Sequence, residues 1–204
     1  DIDWINNWKQ YFHQFYIDDI LVIPSWENIK PEDTDKMVLH IDPGTAFGTG
    51  MHETTQLCIR QLRKFITPET ELLDVGTGRG ILAILSLMFG AKHAVGTDLD
   101  ICAVEAVAQN CEVNGIDPAQ FDMMIGNIIT EKEIQDRVGY GKYDIVVANI
   151  LAEVLVPLMP VVAKCLKPGG TVITSGIING KEGLVTYANW YGRIVSASRI
   201  APEA

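Results

Sequence analysis

The chain has 204 residues, of which 48% are apolar and 21% are charged. This is the composition of a globular protein with an ordinary core, so a wholly disordered chain is excluded. At ~150 residues per domain, the length predicts one domain with an extension. Asp and Glu number 26 against 16 Lys and Arg, a net charge of −10. That charge argues against whole-surface attraction to DNA, RNA or anionic membranes and suits a basic partner.

Cysteine usage and hydropathy restrict the cell compartment and the kind of site. The four cysteines, Cys58, Cys102, Cys111 and Cys165, form no C-x-x-C pair, so no zinc site is predicted. Without a signal peptide or a paired cysteine framework, a reducing cytoplasm is the default expectation. Since no run reaches ~18 apolar residues, we expect no membrane-spanning helix and no membrane partner.

The N-terminal part is rich in aromatic residues. Its six aromatic side chains recur at helical spacing, which predicts a helix over residues 1–16; they are Trp4, Trp8, Tyr11, Phe12, Phe15 and Tyr16. Ile20–Ile23 is a predicted strand that ends before Pro24, and residues 25–36 form a polar connector. Residues 42–52 hold three glycines and a proline, a long loop of the kind that often carries function. We therefore expect a linker helix and strand over 1–36 and the main domain over 37–204.

From Thr54 onward, helical and extended patterns alternate. Strands are predicted at 72–75, 94–97, 122–125, 144–148, 171–175 and 193–198, helices at 80–89, 101–113, 151–165 and 181–190, and a turn at 167–170. Strands that alternate with helices of this length indicate βαβ units. The predicted fold class is α/β, with a mostly parallel, doubly wound Rossmann-like sheet and helices on both faces.

A glycine-rich loop follows the predicted strand 72–75 and reads Gly76-Thr77-Gly78-Arg79-Gly80. Glycines allow a tight turn and a close approach of a ligand to the backbone. The third glycine comes one residue earlier than in the G-x-G-x-x-G pattern that binds a pyrophosphate. Asp74, two residues before the loop, would repel a pyrophosphate, but it could hold a cationic ligand or brace the loop.

Two polar residues lie at the ends of predicted strands. Asp98 comes 22 residues after Gly76, where an acid accepts hydrogen bonds from ribose hydroxyls. With the glycine loop it predicts a nucleoside ligand; the alternative is a structural turn with an Asp helix cap. Asn149 follows the strand 144–148, and its oxygen could accept an N–H from an incoming amine. The alternative role for Asn149 is the N-cap of the next helix.

The strand, glycine loop and Asp98 together resemble S-adenosylmethionine-dependent methyltransferases of the Rossmann-like class. Residues 42–55, Asp-Pro-Gly-Thr-Ala-Phe-Gly-Thr-Gly-Met-His-Glu-Thr-Thr, are more specific. With Val-Ala-Asn-Ile-Leu at 147–151 they closely resemble the bacterial ribosomal protein L-eleven methyltransferases, over about residues 4–180. The resemblance implies S-adenosyl-L-methionine as cofactor. It also implies methylation of lysine side chains and of the N-terminal amine of a basic large-subunit ribosomal protein. The products would be trimethylated amines, and no DNA partner is implied.

The resemblance also assigns site residues. The implied cofactor contacts are Phe47, Gly48, Thr49, Thr55, Asp74, Gly76, Thr77, Gly78, Asp98 and Asn149. Asn149 would lie next to the target amine, and His52 is a candidate acid or base, with loop bracing as its alternative role. Glu53 and Arg79 depart from the family, which has proline and a small residue there. Members carry a further N-terminal substrate-recognition domain and one more final strand, so we expect both to be missing from this chain.

Three other functions stay open at this point. The first is a methyltransferase of the same class that acts on a small molecule or RNA. The second is a module that binds the cofactor without turnover. The third is a nicotinamide oxidoreductase, which the G-x-G-x-G spacing and Asp74 disfavour.

Overall fold

The computed structural model describes residues 12–42, 51–175 and 193–196. The strands are β1 (Phe15–Ile17), β2 (Ile20–Ile23), β3 (Met37–His40), β4 (Glu71–Val75), β5 (His93–Asp98), β6 (Phe121–Ile125), β7 (Tyr143–Ala148), β8 (Leu166–Thr174) and β9 (Arg193–Ser196). The helices are α1 (Glu53–Phe65), α2 (Ile81–Met88), α3 (Cys102–Val113), α4 (Lys132–Val138) and α5 (Ala152–Cys165), with short 3-10 turns at Pro31–Asp33 and Pro118–Gln120.

The large sheet has the strand order β6-β5-β4-β7-β8-β9, and each neighbouring pair is parallel. Its strands alternate between two cores, because successive side chains point to opposite faces. On β4, Leu72 packs with α1, α2 and α3, whereas Leu73 packs with α4 and α5. The sheet is thus covered by helices on both faces, which confirms the predicted α/β class and parallel topology.

A small second sheet precedes the large one. The hairpin β1–β2 is antiparallel, and β3 adds to β2 in parallel. Asp18 lies in the hairpin turn with a φ of 55°, a left-handed conformation that Asp tolerates better than most residues. The helix predicted over 1–16 is therefore wrong at Phe15 and Tyr16, and residues 1–11 lie outside the described residues. Pairing with the fully buried β2 overrides the helical spacing of the aromatic residues.

Three further differences separate the prediction from the structure. Strand β3 and the short polar helix α4 were not predicted. The turn predicted at 167–170 is a bulge inside β8, where these residues oppose only Asp144 between the pairs Tyr143↔Leu166 and Ile145↔Thr171. The start of the predicted strand 193–198 is confirmed by β9, while the helix predicted at 181–190 lies outside the described residues.

The two segments of the predicted domain division, 1–36 and 37–204, share one hydrophobic core. Phe12, Ile20 and Leu39 lie in the same cluster as the buried faces of α1 and α2. The pairing of β2 with β3 also crosses the proposed boundary at residue 36, so the domain division stays a prediction. No helix in the described part of the chain is long and apolar enough to span a bilayer.

Candidate active site

The candidate site lies where the carboxyl ends of four parallel strands meet. Val75, at the end of β4, is paired with Thr97 on β5 and with Ala148 on β7, and Ala148 is paired with Thr174 on β8. The residues that follow these positions are therefore brought to a single edge. Open α/β sheets place their ligands at this edge.

The glycine loop is fastened to the neighbouring strand by its backbone. The N–H groups of Gly76 and Thr77 both donate to the carbonyl of Thr97, at 2.8 and 3.0 Å. Gly76 has a φ of +71°, and a Cβ there would lie 2.6 Å from Cγ2 of Ile150. Glycine is required at this position both by its backbone angle and by the close approach of Ile150.

Asp98 links the end of β5 to the glycine loop. Its Oδ2 accepts the N–H of Gly78 at 2.7 Å, and its Oδ1 accepts the N–H of Asp100 at 3.0 Å. Each carboxylate oxygen keeps a second lone pair, and the side chain is partly exposed at the strand end. The carboxylate is thus held in one orientation and still has the capacity to accept hydrogen bonds from a ligand's hydroxyl groups.

Asp74 lies beneath the loop and is only 1% exposed. Its Oδ2 accepts the hydroxyl proton of Thr77 at 2.7 Å. Burial raises the pKa of Asp74 to about 7; the Thr77 hydroxyl and the Ala83 N–H oppose this rise, and the charge of Asp98 adds to it. Of the two roles open for Asp74, this position favours bracing the loop over direct contact with a ligand.

Three polar side chains meet next to the loop. The Nδ2 of Asn149 donates to Oγ1 of Thr55 at 2.9 Å, and the hydroxyl of Ser175 donates to Oδ1 of Asn149. Thr55 is 4% exposed and Ser175 is fully buried, while Asn149 is partly exposed. The two buried hydroxyls hold the amide of Asn149 in place, so its position does not depend on a ligand.

This arrangement excludes one of the two roles considered for Asn149. Helix α5 begins at Ala152 and its N-cap is Leu151, which makes no side-chain cap bond. Asn149 lies two residues before the cap, and its side chain is bonded to Thr55 and Ser175 instead. The N-cap role is therefore wrong.

His52 is the N-cap residue of α1, and it caps the helix with its backbone carbonyl and not with its side chain. Its carbonyl accepts the N–H of Thr55 at 3.0 Å, and its ring Nδ1 lies 2.9 Å from Oγ1 of Thr54. The ring is exposed. The described contacts are those of a residue that braces the start of α1, and its role as an acid or base stays a prediction. Phe47, Gly48 and Thr49 lie outside the described residues.

Cys58 lies on the buried side of the site, and its surroundings do not suit a catalytic nucleophile. It lies one helical turn after Thr55, is fully buried, and is close to the hydroxyl of Ser175. Burial raises the pKa of its thiol to about 12. A thiol of this kind stays protonated at neutral pH and is a poor nucleophile. The described residues also contain no cluster of His, Cys, Asp or Glu that could hold a metal ion.

Sequence reasoning missed three residues here. Ser175 was predicted only as a strand residue, since its contact with Asn149 depends on the pairing of β7 with β8. Leu99 and Ile101 follow Asp98 and are 69% and 68% exposed. Large apolar side chains that are exposed beside a carboxylate at this sheet edge offer a surface for a flat aromatic ring. Their signal in the sequence is an apolar residue one and three positions after the acid that ends a strand.

Comparison with known proteins agrees with this geometry. The sequence profile described as ribosomal protein L11 methyltransferase matches residues 1–195. The chain belongs to the ribosomal protein L11 methyltransferase family. A curated family member from Agathobacter rectalis is 54% identical over 191 residues, covering 92% of this chain and 59% of that protein. Another, from Lachnospira eligens, is 53% identical over 188 residues with the same coverage.

A solved structure supports the family fold. The ribosomal protein L11 methylase of Lactobacillus delbrueckii subsp. bulgaricus has 33% sequence identity and a TM-score of 0.72 to this chain. The match covers 83% of each chain. The chain spans about 59% of the length of the curated L11 methyltransferases named above.

Proposed function

We propose that this chain carries the cofactor-binding and catalytic part of an S-adenosyl-L-methionine-dependent methyltransferase. Its substrate would be ribosomal protein L11, modified on lysine side-chain amines and on the N-terminal amine. One observation supports this most directly. The carboxylate of Asp98 and the held amide of Asn149 lie at one sheet edge, on opposite sides of the glycine loop, in a chain 54% identical to an L11 methyltransferase.

The nucleoside end of the cofactor fits the Asp98 side of the loop. The spare lone pairs of Asp98 suit the two ribose hydroxyls, and the exposed side chains of Leu99 and Ile101 suit the adenine ring. A carboxylate that is already oriented by backbone N–H groups loses little freedom when it binds a ribose. The ribose contact alone does not distinguish this cofactor from a dinucleotide; the carboxyl of Asp74 beneath the loop is the group that disfavours a pyrophosphate, because like charges repel.

The methionine end fits the glycine loop. When bound, the cofactor supplies a methyl group made electrophilic by a positively charged sulfonium. The loop has no cationic side chain other than Arg79, and the buried carboxyl of Asp74 lies below it. With its pKa near 7, Asp74 can carry negative charge at neutral pH and would then stabilise a cationic ligand above the loop.

Asn149 is the residue proposed to position the target amine. Its Oδ1 accepts one hydrogen bond from Ser175 and keeps a lone pair for an amine N–H. Such a contact would orient the nitrogen lone pair toward the methyl group. A free lysine has a pKa of about 10.4 and is almost entirely charged at pH 7. Desolvation would lower this pKa, and fixed positioning would supply much of the rate.

The charge of the chain suits this substrate. The net charge of −10 gives an acidic surface, which attracts basic proteins and raises the rate of encounter. A ribosomal protein substrate would be basic, because neutralising RNA phosphates requires Lys and Arg side chains. Methylation of such a protein would take place in the cytoplasm, where ribosomes are made.

Mass spectrometry of purified L11 tests the proposal. L11 would be incubated with S-adenosylmethionine and with this chain, or with its Asn149→Ala variant as a control. We expect mass increments of one methyl group on lysine or N-terminal peptides with the unmodified chain and far fewer with the variant. Cofactor binding without any transfer would instead identify a binding module. Transfer of methyl groups to rRNA or to small amines, but not to L11, would refute the assignment of L11 as the substrate.

A further inference from the structure

Helix α3 carries a buried asparagine that reaches the glycine loop. Asn110 is only 3% exposed, and its Nδ2 donates to the backbone carbonyl of Arg79 at 2.9 Å. Asparagine is a poor helix former, and a buried amide is costly unless it is hydrogen-bonded. The bond to Arg79 accounts for this residue in a packed helix, and it fixes the main chain between Gly78 and Gly80.

The glycine loop is thereby held at both of its ends. Its first two N–H groups are bonded to the carbonyl of Thr97 on β5, and its far end is bonded to Asn110 on α3. Between these two attachments lies Gly78, whose N–H donates to Oδ2 of Asp98 at 2.7 Å. The orientation of the Asp98 carboxylate therefore depends on a loop that is fixed on either side of the contact.

A second asparagine, one helical turn later, fixes the helix itself. Asn114 is the C-cap residue of α3, and its Nδ2 donates to the carbonyls of Asn110 and His40, each at 2.7 Å. Its Oδ1 accepts the N–H of His40 at 2.8 Å. Because β3 is an edge strand of the small sheet, this amide takes the place of a neighbouring strand at the last residue of β3. The end of α3 that carries Asn110 is thus anchored to the small sheet.

The end of β3 also acts on the glycine loop through charge. Burial lowers the pKa of the Arg79 guanidinium, and the charge of Asp42, two residues after His40, opposes this. The carboxylate of Asp42 accepts the N–H and the hydroxyl of Ser25, at 2.6 and 2.7 Å. Arg79 is therefore held at its carbonyl by Asn110 and attracted at its side chain by Asp42.

We propose that Asn110 is a positioning residue for Asp98: it keeps the glycine loop in the conformation in which the N–H of Gly78 orients that carboxylate for the ribose of the cofactor. This inference rests on the proposed function. Without the bond to the loop, some molecules would hold Asp98 in other orientations, and the apparent affinity would fall with the fraction that remains competent. Asn110 acts through the loop and takes no part in the transfer of the methyl group.

A double-mutant cycle measured by calorimetric titration with S-adenosylhomocysteine tests this role. The four proteins are the unmodified chain, Asn110→Ala, Asp98→Asn and the double variant. Asn110→Leu also lacks the donor, and it replaces Asn110→Ala if that variant does not fold. The matched control is Tyr143→Phe, which removes another buried side-chain bond to a backbone carbonyl, that of Val138 at 2.7 Å, in the core that α4 and α5 cover. Circular dichroism and thermal unfolding establish that each variant is folded.

The cycle separates a positioning role from a general loss of stability. We expect Asn110→Ala to weaken binding by about three- to tenfold, the value of one hydrogen bond. In the Asp98→Asn background the same change should weaken binding by less than about 1.5-fold, because residues that act through one another are not additive. Tyr143→Phe should bind like the unmodified chain.

Three results would overturn the inference and leave the proposed function standing. They are no weakening by Asn110→Ala, equal factors in the two backgrounds, and equal weakening by Tyr143→Phe. If the folded, unmodified chain does not bind S-adenosylhomocysteine, the proposed function fails as well.

Discussion

The amide of Asn149 donates to the hydroxyl of Thr55, 94 residues earlier in the chain, at 2.9 Å. This bond joins the start of α1 to the end of β7, and Ser175 completes it from the end of β8. Two buried hydroxyls thus fix a polar side chain beside the glycine loop. A fixed amide is what a positioning role requires, because the enzyme then loses little freedom when the amine binds.

Asn149→Ala is expected to reduce methyl transfer far more than cofactor binding. The amine would lose its acceptor, and a misplaced nucleophile can cost about a hundredfold in rate. Single-turnover transfer and calorimetric binding would be measured on the same protein. Ser175→Ala is the companion variant, since it keeps the amide and removes only its support, and it should show a smaller loss. Transfer by Asn149→Ala at the unmodified rate would refute the positioning role.

Asp98→Asn is expected to weaken S-adenosylhomocysteine by about ten- to a hundredfold, because hydrogen bonds to a charged group contribute about 1.5–3 kcal/mol. The amide keeps one acceptor for the loop, so the protein should remain folded. Asp122→Asn removes an exposed carboxylate from β6 and serves as the control. If the two variants bind the ligand equally well, Asp98 does not hold the ribose.

Stability should depend on pH through Asp74. Burial raises its pKa from 3.8 to about 7 in the folded state, so the folded protein holds this proton more tightly than the unfolded chain does. The free energy of unfolding therefore falls as the pH rises from about 4 to about 7, by up to about 4 kcal/mol. Above that range, the contribution of Asp74 is constant.

Asp74→Asn should remove this dependence, since the amide is neutral at every pH. Urea unfolding at pH 5 and pH 8 would show a larger change for the unmodified chain than for the variant. Asp35→Asn, an exposed change, should follow the unmodified chain. Parallel pH profiles for all three proteins would show that Asp74 is charged throughout this range.

Gly76→Ala is expected to destabilise the protein more than Gly115→Ala. Both glycines have positive φ, +71° and +65°, but an added Cβ meets Ile150 at 2.6 Å in the first case and nothing within 4 Å in the second. The left-handed backbone alone costs roughly 1–2 kcal/mol, and the clash adds to it. Chemical unfolding measures both, and Ile150→Ala should rescue part of the loss at Gly76. Equal losses without rescue would mean that Ile150 moves aside freely.

The sequence predicts the large sheet well because its strands are buried on both faces. Such strands appear as continuous apolar runs between turn signals, as at Leu72–Leu73 and Val146–Val147. The sequence-based prediction fails where one residue pattern is compatible with both a helix and a strand. Phe15 and Tyr16 have helical spacing, yet they form a strand because β2 offers a partner. Helix α4 was missed because it is short and mostly polar.

Only the part of the site that depends on local sequence could be predicted. Asp98 and Asn149 each end a strand, and parallel strands carry such residues to the same edge, so local sequence suffices to place them. Ser175 gains its role only from the order of strands β7 and β8, which the sequence does not state. The burial of Asp74 and of Arg79 likewise depends on helices that pack around the loop.

Calorimetric titration of the unmodified chain with S-adenosylhomocysteine, with NAD as the matched control, tests the central claim most directly. Both ligands contain adenosine, but only NAD carries a pyrophosphate. We predict saturable binding of S-adenosylhomocysteine and no detectable binding of NAD. Binding of NAD in preference, or of neither ligand by a folded sample, would contradict the assignment of this sheet edge as a site for S-adenosylmethionine.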